Sequence, residues 1–315
     1  MSLPFAFALH GGAGTIAPTH PQAEAPYHEA LRAATARALA VLAADGSSLD
    51  AVVEAVAALE DCPLFNAGHG AVFCADGGHE LDAGVMDGRT LAAGGVAGVR
   101  TVRNPVRAAL ELMYEGRCVL MGADAAERLA AERGLDIVEP GYFSTAHRLA
   151  QLREVQARRG GLAALDHDRE PEDADSPHRF GTVGAVARDR HGHLAAATST
   201  GGMTNKPPGR IGDSPIVGAG VYANDATCAV SCTGTGEHFI RACLGHDVHA
   251  RMRYGQQGTF LAAHEALAQT LGPLGGRGGM VVVGRDGQIA MPFNSRGMYR
   301  AWVREGDDVR TAIFA

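Results

Sequence analysis

A layered α/β fold is what this sequence predicts, on three observations. Hydrophobic residues make up 46% of the 315 but aromatics only 5%, so the core has to be filled by Ala, Val and Leu. Glycine is unusually frequent, at 42 residues, and lets backbones approach closely. Short runs of small and β-branched residues alternate with segments of helical spacing, as expected of sheets covered by helices. The length is enough to bury a substantial core, in one large domain or two small ones.

The formal charge of −7 and the single lysine, Lys206, argue against an electrostatic grip on nucleic acid or anionic lipid. The expected partners are small molecules or peptides. No run approaches the roughly 18 apolar residues of a membrane span, so the expectation is a soluble protein. The six cysteines (62, 74, 118, 228, 232, 243) lack repeated CxxC spacing, which favours reduced thiols in the cytoplasm. Cys228, Cys232, His238 and His246 form a conceivable zinc set, but buried small hydrophobes are the better reading of the cysteines.

The apolar stretch 1–9 has no basic lead and no cleavage site, and reads as a first strand. It runs into His10-Gly11-Gly12-Ala13-Gly14-Thr15, a turn whose N–H groups lie open. Such a turn can cradle a phosphate, yet no GxxxxGK[ST] follows and no helix opens behind it, so it is weak evidence for a nucleotide site. Segments 27–44 and 49–60 have helical spacing, with Asp45-Gly46 stopping the first and Ser47-Ser48 capping the second. Residues 61–70 read as a loop and 71–74 as a strand. In 80–88 the acids stand beside Gly and Ala, which suggests turn chemistry rather than a calcium loop. A strand over 91–99 precedes a helix from Asn104-Pro105, with Asn as cap, to about residue 114. A short strand at 119–121, a helix at 123–133 closed by Gly134, and a helix at 144–157 follow.

From 158 to 181 the chain turns charged and chain-breaking, and reads as a flexible linker. It meets a buried strand pattern at Phe180-Gly181-Thr182-Val183-Gly184. Thr182 is there either as an ordinary strand residue or, if the chain is cut before it, as a hydroxyl and a free α-amine on one residue, the arrangement of some hydrolases. Strands 182–189 and 193–199 form a hairpin around Arg190-His191-Gly192. The run from Thr198 to Asn205 gathers hydroxyls and glycines at a strand end, where ligand contacts commonly sit. Gly209-Arg210-Ile211-Gly212-Asp213-Ser214-Pro215 sets a cation and an anion three residues apart. They are a solvated surface pair, or Arg210 grips a substrate carboxylate while Asp213 holds its ammonium group. Strands 217–222 and 229–232 lead to Thr233-Gly234-Thr235-Gly236-Glu237, which opens a helix toward residue 244 with N–H groups suited to an oxyanion. A helix over 260–271, strands 280–284 and 288–291 joined at Asp286-Gly287, and strands 299–304 and 309–313 complete the chain.

Taken together these motifs resemble the plant-type (type III) asparaginase and isoaspartyl peptidase family of N-terminal nucleophile hydrolases. The likeness runs through His10-Gly11-Gly12-Ala13-Gly14, Asn66-Ala67-Gly68, Glu80-Leu81-Asp82-Ala83, Met86-Asp87-Gly88, Gly181-Thr182-Val183-Gly184, the run 198–206, the run 209–215 and the run 231–237. It implies a four-layer αββα sandwich of the Ntn-hydrolase type, one domain over 1–315. Autocatalytic cleavage between Gly181 and Thr182 would give an α subunit (1–181) and a β subunit (182–315), assembled as a homodimer of these heterodimers. The implied activity is that of a cytoplasmic isoaspartyl peptidase and L-asparaginase, hydrolysing β-aspartyl dipeptides and L-asparagine to L-aspartate through an acyl-enzyme on Thr182.

By position, the resemblance makes Thr182 the nucleophile, its freed amine the base, and Thr200 the group that orients its hydroxyl. Arg210 and Asp213 hold the α-carboxylate and α-amine of the substrate. Thr233 and the Gly234 N–H form the oxyanion hole and, with Gly236, line the substrate, while Asn66 lies in a loop reaching the site. That loop is expected to wrap a structural sodium ion through the carbonyls of Leu59, Glu60, Cys62, Phe65, Ala67 and His69, with no organic cofactor. Lys206-Pro207-Pro208-Gly209 and Arg179-Phe180 depart from the usual pattern, at the substrate entrance and the self-cleavage lead-in. The rivals are a glycosylasparaginase-like hydrolase, which the run 200–206 argues against, a non-enzymatic ligand-binding protein with Thr182 uncut, and a nucleotide binder built on 10–14.

Overall fold

In the computed structural model, which describes residues 3–14, 21–158 and 181–315, two β-sheets pack face to face between layers of helices. The large sheet holds β1 (Ala6–Gly14), β2 (Leu81–Asp87), β3 (Ala93–Val99), β4 (Leu120–Gly122), β5 (Val183–Arg188), β6 (Leu194–Thr200), β11 (Gly297–Arg304) and β12 (Arg310–Ala312). Their order is β12-β11-β1-β5-β6-β2-β3-β4, antiparallel throughout except for the parallel β3–β4 pair. The small sheet, ordered β10-β9-β8-β7, holds β7 (Val221–Ala223), β8 (Cys228–Gly234), β9 (Gly278–Gly284) and β10 (Ile289–Ala290). Helices α1 (Pro21–Ala43), α2 (Ser48–Glu60) and α3 (Pro105–Glu115) cover the large sheet. Helices α6 (Gly236–Ala242), α7 (Leu244–Arg253) and α8 (Thr259–Glu265) cover the small one. This is the expected αββα sandwich; α4 (Ala123–Glu132) and α5 (Ala146–Arg158) complete the helices.

The sequence explains the layering through the two faces of each strand. On β1, Phe7 and Leu9 join the core beneath α1 and α2, while Ala6 and Ala8 face the second sheet. On β1 the large residues fill the helix side and the small ones the space between the sheets; with both faces of the sheet buried, the strands read as continuous apolar runs rather than alternating ones.

Several expected boundaries moved. The turn expected at 10–15 belongs to β1 as far as Gly14, with a bulge between His10 and Gly12. Residues 81–87, expected as turn chemistry, are the buried strand β2, because its backbone pairs with β3 on one side and β6 on the other, Gly84 with both and Asp82 and Asp87 with β6. Residues 71–74 form only an isolated bridge from Cys74 to Lys206, and α1 starts at Pro21, ahead of the expected 27. Asn104 makes no capping bond, since its amide reaches Ala57 O and Asp61 Oδ1 instead. Strand 217–222 shortens to β7. The helix expected to reach 244 breaks at Cys243, φ 47°, and an unexpected helix, α7, follows. Ser47 does cap α2, accepting the Asp50 N–H at 3.0 Å. The linker expected over 158–181 lies, apart from its two end residues, outside the described residues.

Candidate active site

Strand period two decides which side chains meet. On β5, Val183, Ala185 and Ala187 belong to the helix-side core and Val186 to the core between sheets, so Thr182 and Gly184 face the small sheet. On β6 the helix-side residues are Ala195 and Ala197, which turns Thr198 and Thr200 the same way. Val183 pairs with Ser199, and one step further out Thr182 comes beside Thr200. Both are buried. The hydroxyl that reaches Thr182 Oγ1 is Ser214 Oγ, at 3.3 Å. Thr200 Oγ1 accepts the Gly202 N–H at 2.9 Å, which closes the turn after its own strand.

The peptide before Thr182 is held closely. A Cβ on Gly181 would fall 2.5 Å from Thr233 Oγ1, and one on Gly12 would fall 2.7 Å from Gly181 O. Gly12 also has φ 110°, so both its space and its conformation require glycine. Thr233 Oγ1 accepts the Ala13 N–H at 3.1 Å, which ties the end of β8 to β1 at this point. Gly234 follows Thr233 on β8, opposite Gly278.

Arg210 and Asp213 are not a solvated pair. Arg210 donates from Nε and Nη2 to the two carboxylate oxygens of Glu237, each at 2.8 Å. Asp213 is 2% exposed, and its Oδ2 has no hydrogen-bond partner among the described residues. Burial pushes its carboxyl up to about 7 against the pull of its own backbone N–H and of Arg210. Gly236 lies between the two charges: a Cβ there would be 2.9 Å from Asp213 Oδ1 and 3.0 Å from Arg210 Nη2. Asp82, opposite Thr200 on β2, is raised by burial too, with Lys206 the main opposing charge. Lys206 itself is buried and donates to Glu80 O at 2.8 Å.

Asn66 works on the neighbouring turn. Its Nδ2 donates to Gly202 O at 2.7 Å, its Oδ1 accepts the Val72 N–H at 2.9 Å, and its carbonyl accepts the Gly201 N–H at 3.2 Å. In the same loop, carbonyl oxygens crowd around glycines. A Cβ on Gly68 would meet Glu60 O at 2.3 Å, and one on Gly70 would meet Pro63 O and Phe65 O at 2.6 and 2.8 Å. No group of three or more His, Cys, Asp or Glu side chains placed to hold a metal occurs among the described residues. Cys228, Cys232, His238 and His246 form no such group, and all six cysteines are free.

Thr182, Thr200, Thr233, Gly234, Gly236, Arg210 and Asp213 are thus linked through direct neighbours into one centre, and Asn66 braces it from the Gly201–Gly202 side. Ser214 and Glu237 escape a reading of the sequence, although both stand inside the runs 209–215 and 231–237. Nothing in their local sequence tells which side chain each one faces.

Comparison with known proteins gives the class: a hydrolase of the asparaginase type. The chain belongs to the asparaginase family, whose sequence pattern matches residues 3–313. It is 52% identical over 309 residues to the isoaspartyl peptidase of Escherichia coli K12, across 98% of this chain and 95% of that one. It is 53% identical over 310 residues to the isoaspartyl peptidase of Salmonella typhimurium, across 98% and 97%. A probable isoaspartyl peptidase/L-asparaginase of Arabidopsis thaliana is 35% identical over 327 residues, across 98% and 99%. Among the described residues no helix is long and apolar enough to cross a membrane.

Proposed function

We propose that this chain is a self-processing N-terminal threonine hydrolase that cleaves β-aspartyl dipeptides and L-asparagine to L-aspartate. The names of its relatives support the substrate class. One observation carries the mechanism: the Gly181–Thr182 peptide is packed against Gly12 and the Thr233 hydroxyl, in a space that only glycine at 12 and 181 leaves open.

In the first reaction Thr182 Oγ1 attacks the Gly181 carbonyl carbon, and the hydroxyl proton passes to the departing Thr182 nitrogen. Water then hydrolyses the resulting ester, leaving a Gly181 carboxylate and a free Thr182 amine. That amine, with a reference pKa of about 7.7 to 8.0, is partly neutral near pH 7 and serves as the base. Glu237 engages only two of the Arg210 nitrogens, and the other N–H groups of the guanidinium receive the substrate α-carboxylate. Ionised Asp213 receives the α-ammonium. Oγ1 then attacks the β-carbonyl, and the developing oxyanion takes hydrogen bonds from the Thr233 hydroxyl and the Gly234 N–H, where one donor is worth on the order of 100-fold in rate. The leaving amine takes the proton held by the Thr182 nitrogen, and water releases aspartate from the ester by the same route.

The residue 59–70 loop offers backbone carbonyls of the kind a hard monovalent cation takes, with Glu60 O beside Gly68 and Pro63 O and Phe65 O beside Gly70. Leu59, Glu60, Cys62, Phe65, Ala67 and His69 would hold sodium there through their carbonyls, keeping Asn66 in place without joining the reaction. The reaction calls for no organic cofactor. The free cysteines suit a cytoplasmic protein, and the exposed Val119 and Leu120 at the β4 edge suit assembly as a homodimer of αβ pairs.

Intact mass of the purified protein tests the reading, followed by assays on β-aspartyl-leucine, asparagine and a glycosylated asparagine. The wild type should give two fragments, one beginning at Thr182. Thr182→Ala should remain a single 32.6 kDa chain without activity; if it still splits and hydrolyses substrate, the proposal is wrong.

A further inference from the structure

We infer that His10, Ser231 and Thr198 form a positioning relay that sets the distance between Thr182 and the Asp213 clamp across the two sheets. The inference rests on the roles of Thr182 and Asp213 just proposed. His10 Nε2 lies 2.9 Å from Ser231 Oγ, and Ser231 Oγ lies 2.7 Å from Thr198 Oγ1. Thr198 Oγ1 donates to Gly220 O at 3.2 Å, and the Gly220 N–H donates to Asp213 O at 3.1 Å. All three side chains have no exposed surface.

The relay joins different layers. His10 and Thr198 stand on β1 and β6 of the large sheet, and Ser231 on β8 of the small one. Apart from the Ala13–Thr233 bond at the end of β8, much of this interface is apolar packing, which is non-directional and resists sliding weakly; a hydroxyl bonded to both sheets is directional. Gly184 makes the space, because a Cβ there would be 1.9 Å from Ser231 Oγ and 2.7 Å from His10 Nε2. Gly184 pairs with His10 and shares its strand face with Thr182, two residues earlier. The His10 ring also lies against the Thr182 backbone, and burial holds it neutral, its pKa lowered to about 3. Its Nδ1 has no well-aligned partner among the described residues, so the Ser231 bond is the better-aligned of the ring's two ties. The relay therefore ends at the nucleophile on one side and at the clamp on the other.

A displacement of about 1 Å at a reacting centre can cost on the order of 100-fold in rate, so losing the relay should lower kcat and leave KM, set by the clamp itself, largely unchanged. The test uses full-length wild type, Ser231→Ala, Thr198→Val and Thr198→Ser, scored for self-cleavage by intact mass and for kcat and KM on β-aspartyl-leucine. Support is a kcat about 10-fold or more lower in Ser231→Ala and Thr198→Val, KM within about two-fold, and Thr198→Ser restored to near wild type. Unchanged kcat in both hydroxyl-free variants overturns it. So does a loss confined to KM, or a Thr198→Ser variant as impaired as Thr198→Val, which would mark a packing role. If Ser231→Ala does not fold, the Thr198 pair decides alone. A wild type that neither cuts itself nor turns over substrate would instead defeat the underlying functional reading.

Discussion

Arg210 and Glu237 form a two-pronged ion pair, Nε and Nη2 each 2.8 Å from a carboxylate oxygen, and this holds the plane of the guanidinium beside Asp213. A lysine cannot reproduce that fork. Arg210→Lys should raise KM for β-aspartyl-leucine by about 10- to 100-fold with a smaller change in kcat, as expected when a charged partner at a binding site is truncated by about 1.4 to 2.7 kcal/mol. Steady-state kinetics on the processed enzyme measures it.

The Asp213 carboxyl predicts a pH dependence of two kinds. Its folded-state pKa is raised to about 7 by burial, above the ordinary 3.8 that the unfolded chain retains. The folded chain therefore holds the proton more tightly, and the stability this group contributes is complete below its unfolded pKa and lost as pH rises through about 7. Urea unfolding of wild type and Asp213→Asn between pH 4 and 8 should show a downward slope in the wild type that the variant lacks. Substrate ammonium requires the ionised form, so KM should fall as pH rises through the same region.

Gly184 has no room for a side chain, with Ser231 Oγ, His10 Nε2 and Ala197 O at 1.9, 2.7 and 2.9 Å from where a methyl group would sit. Gly184→Ala should lose about 1–3 kcal/mol of stability by overpacking. Chemical denaturation gives the value directly, and an unchanged midpoint would mean the sheets can separate locally at no cost.

Asn66 joins three backbone groups of two loops. In Asn66→Asp the donor facing Gly202 O becomes an acceptor, and a buried group left without its bond costs about 1–3 kcal/mol. The variant should melt earlier than wild type and process more slowly.

If the 59–70 loop holds sodium, the folded state alone binds it and the melting temperature must rise with its concentration. Replacing sodium chloride by choline chloride at equal ionic strength should lower Tm, and readdition should restore it. Identical melting in both salts would remove the ion from the account.

Much of this protein was determined by its sequence alone. The glycine-rich, aromatic-poor composition called for small-residue packing between sheets. Ser47 before α2 and Gly134 after α4 punctuate the helices as local chemistry requires. Thr182, Arg210, Asp213 and Thr233 stood out because each lies in a short motif of unusual residue types. Where local pattern misled, a tertiary partner had overruled it, as when pairing with β3 and β6 made residues 81–87 a strand despite their turn chemistry. Only the folded chain decided that Ser214 reaches Thr182 across 32 positions and that His10 meets Ser231 across 221. Strand register and sheet stacking create those contacts, and neither is written in the spacing of neighbouring residues.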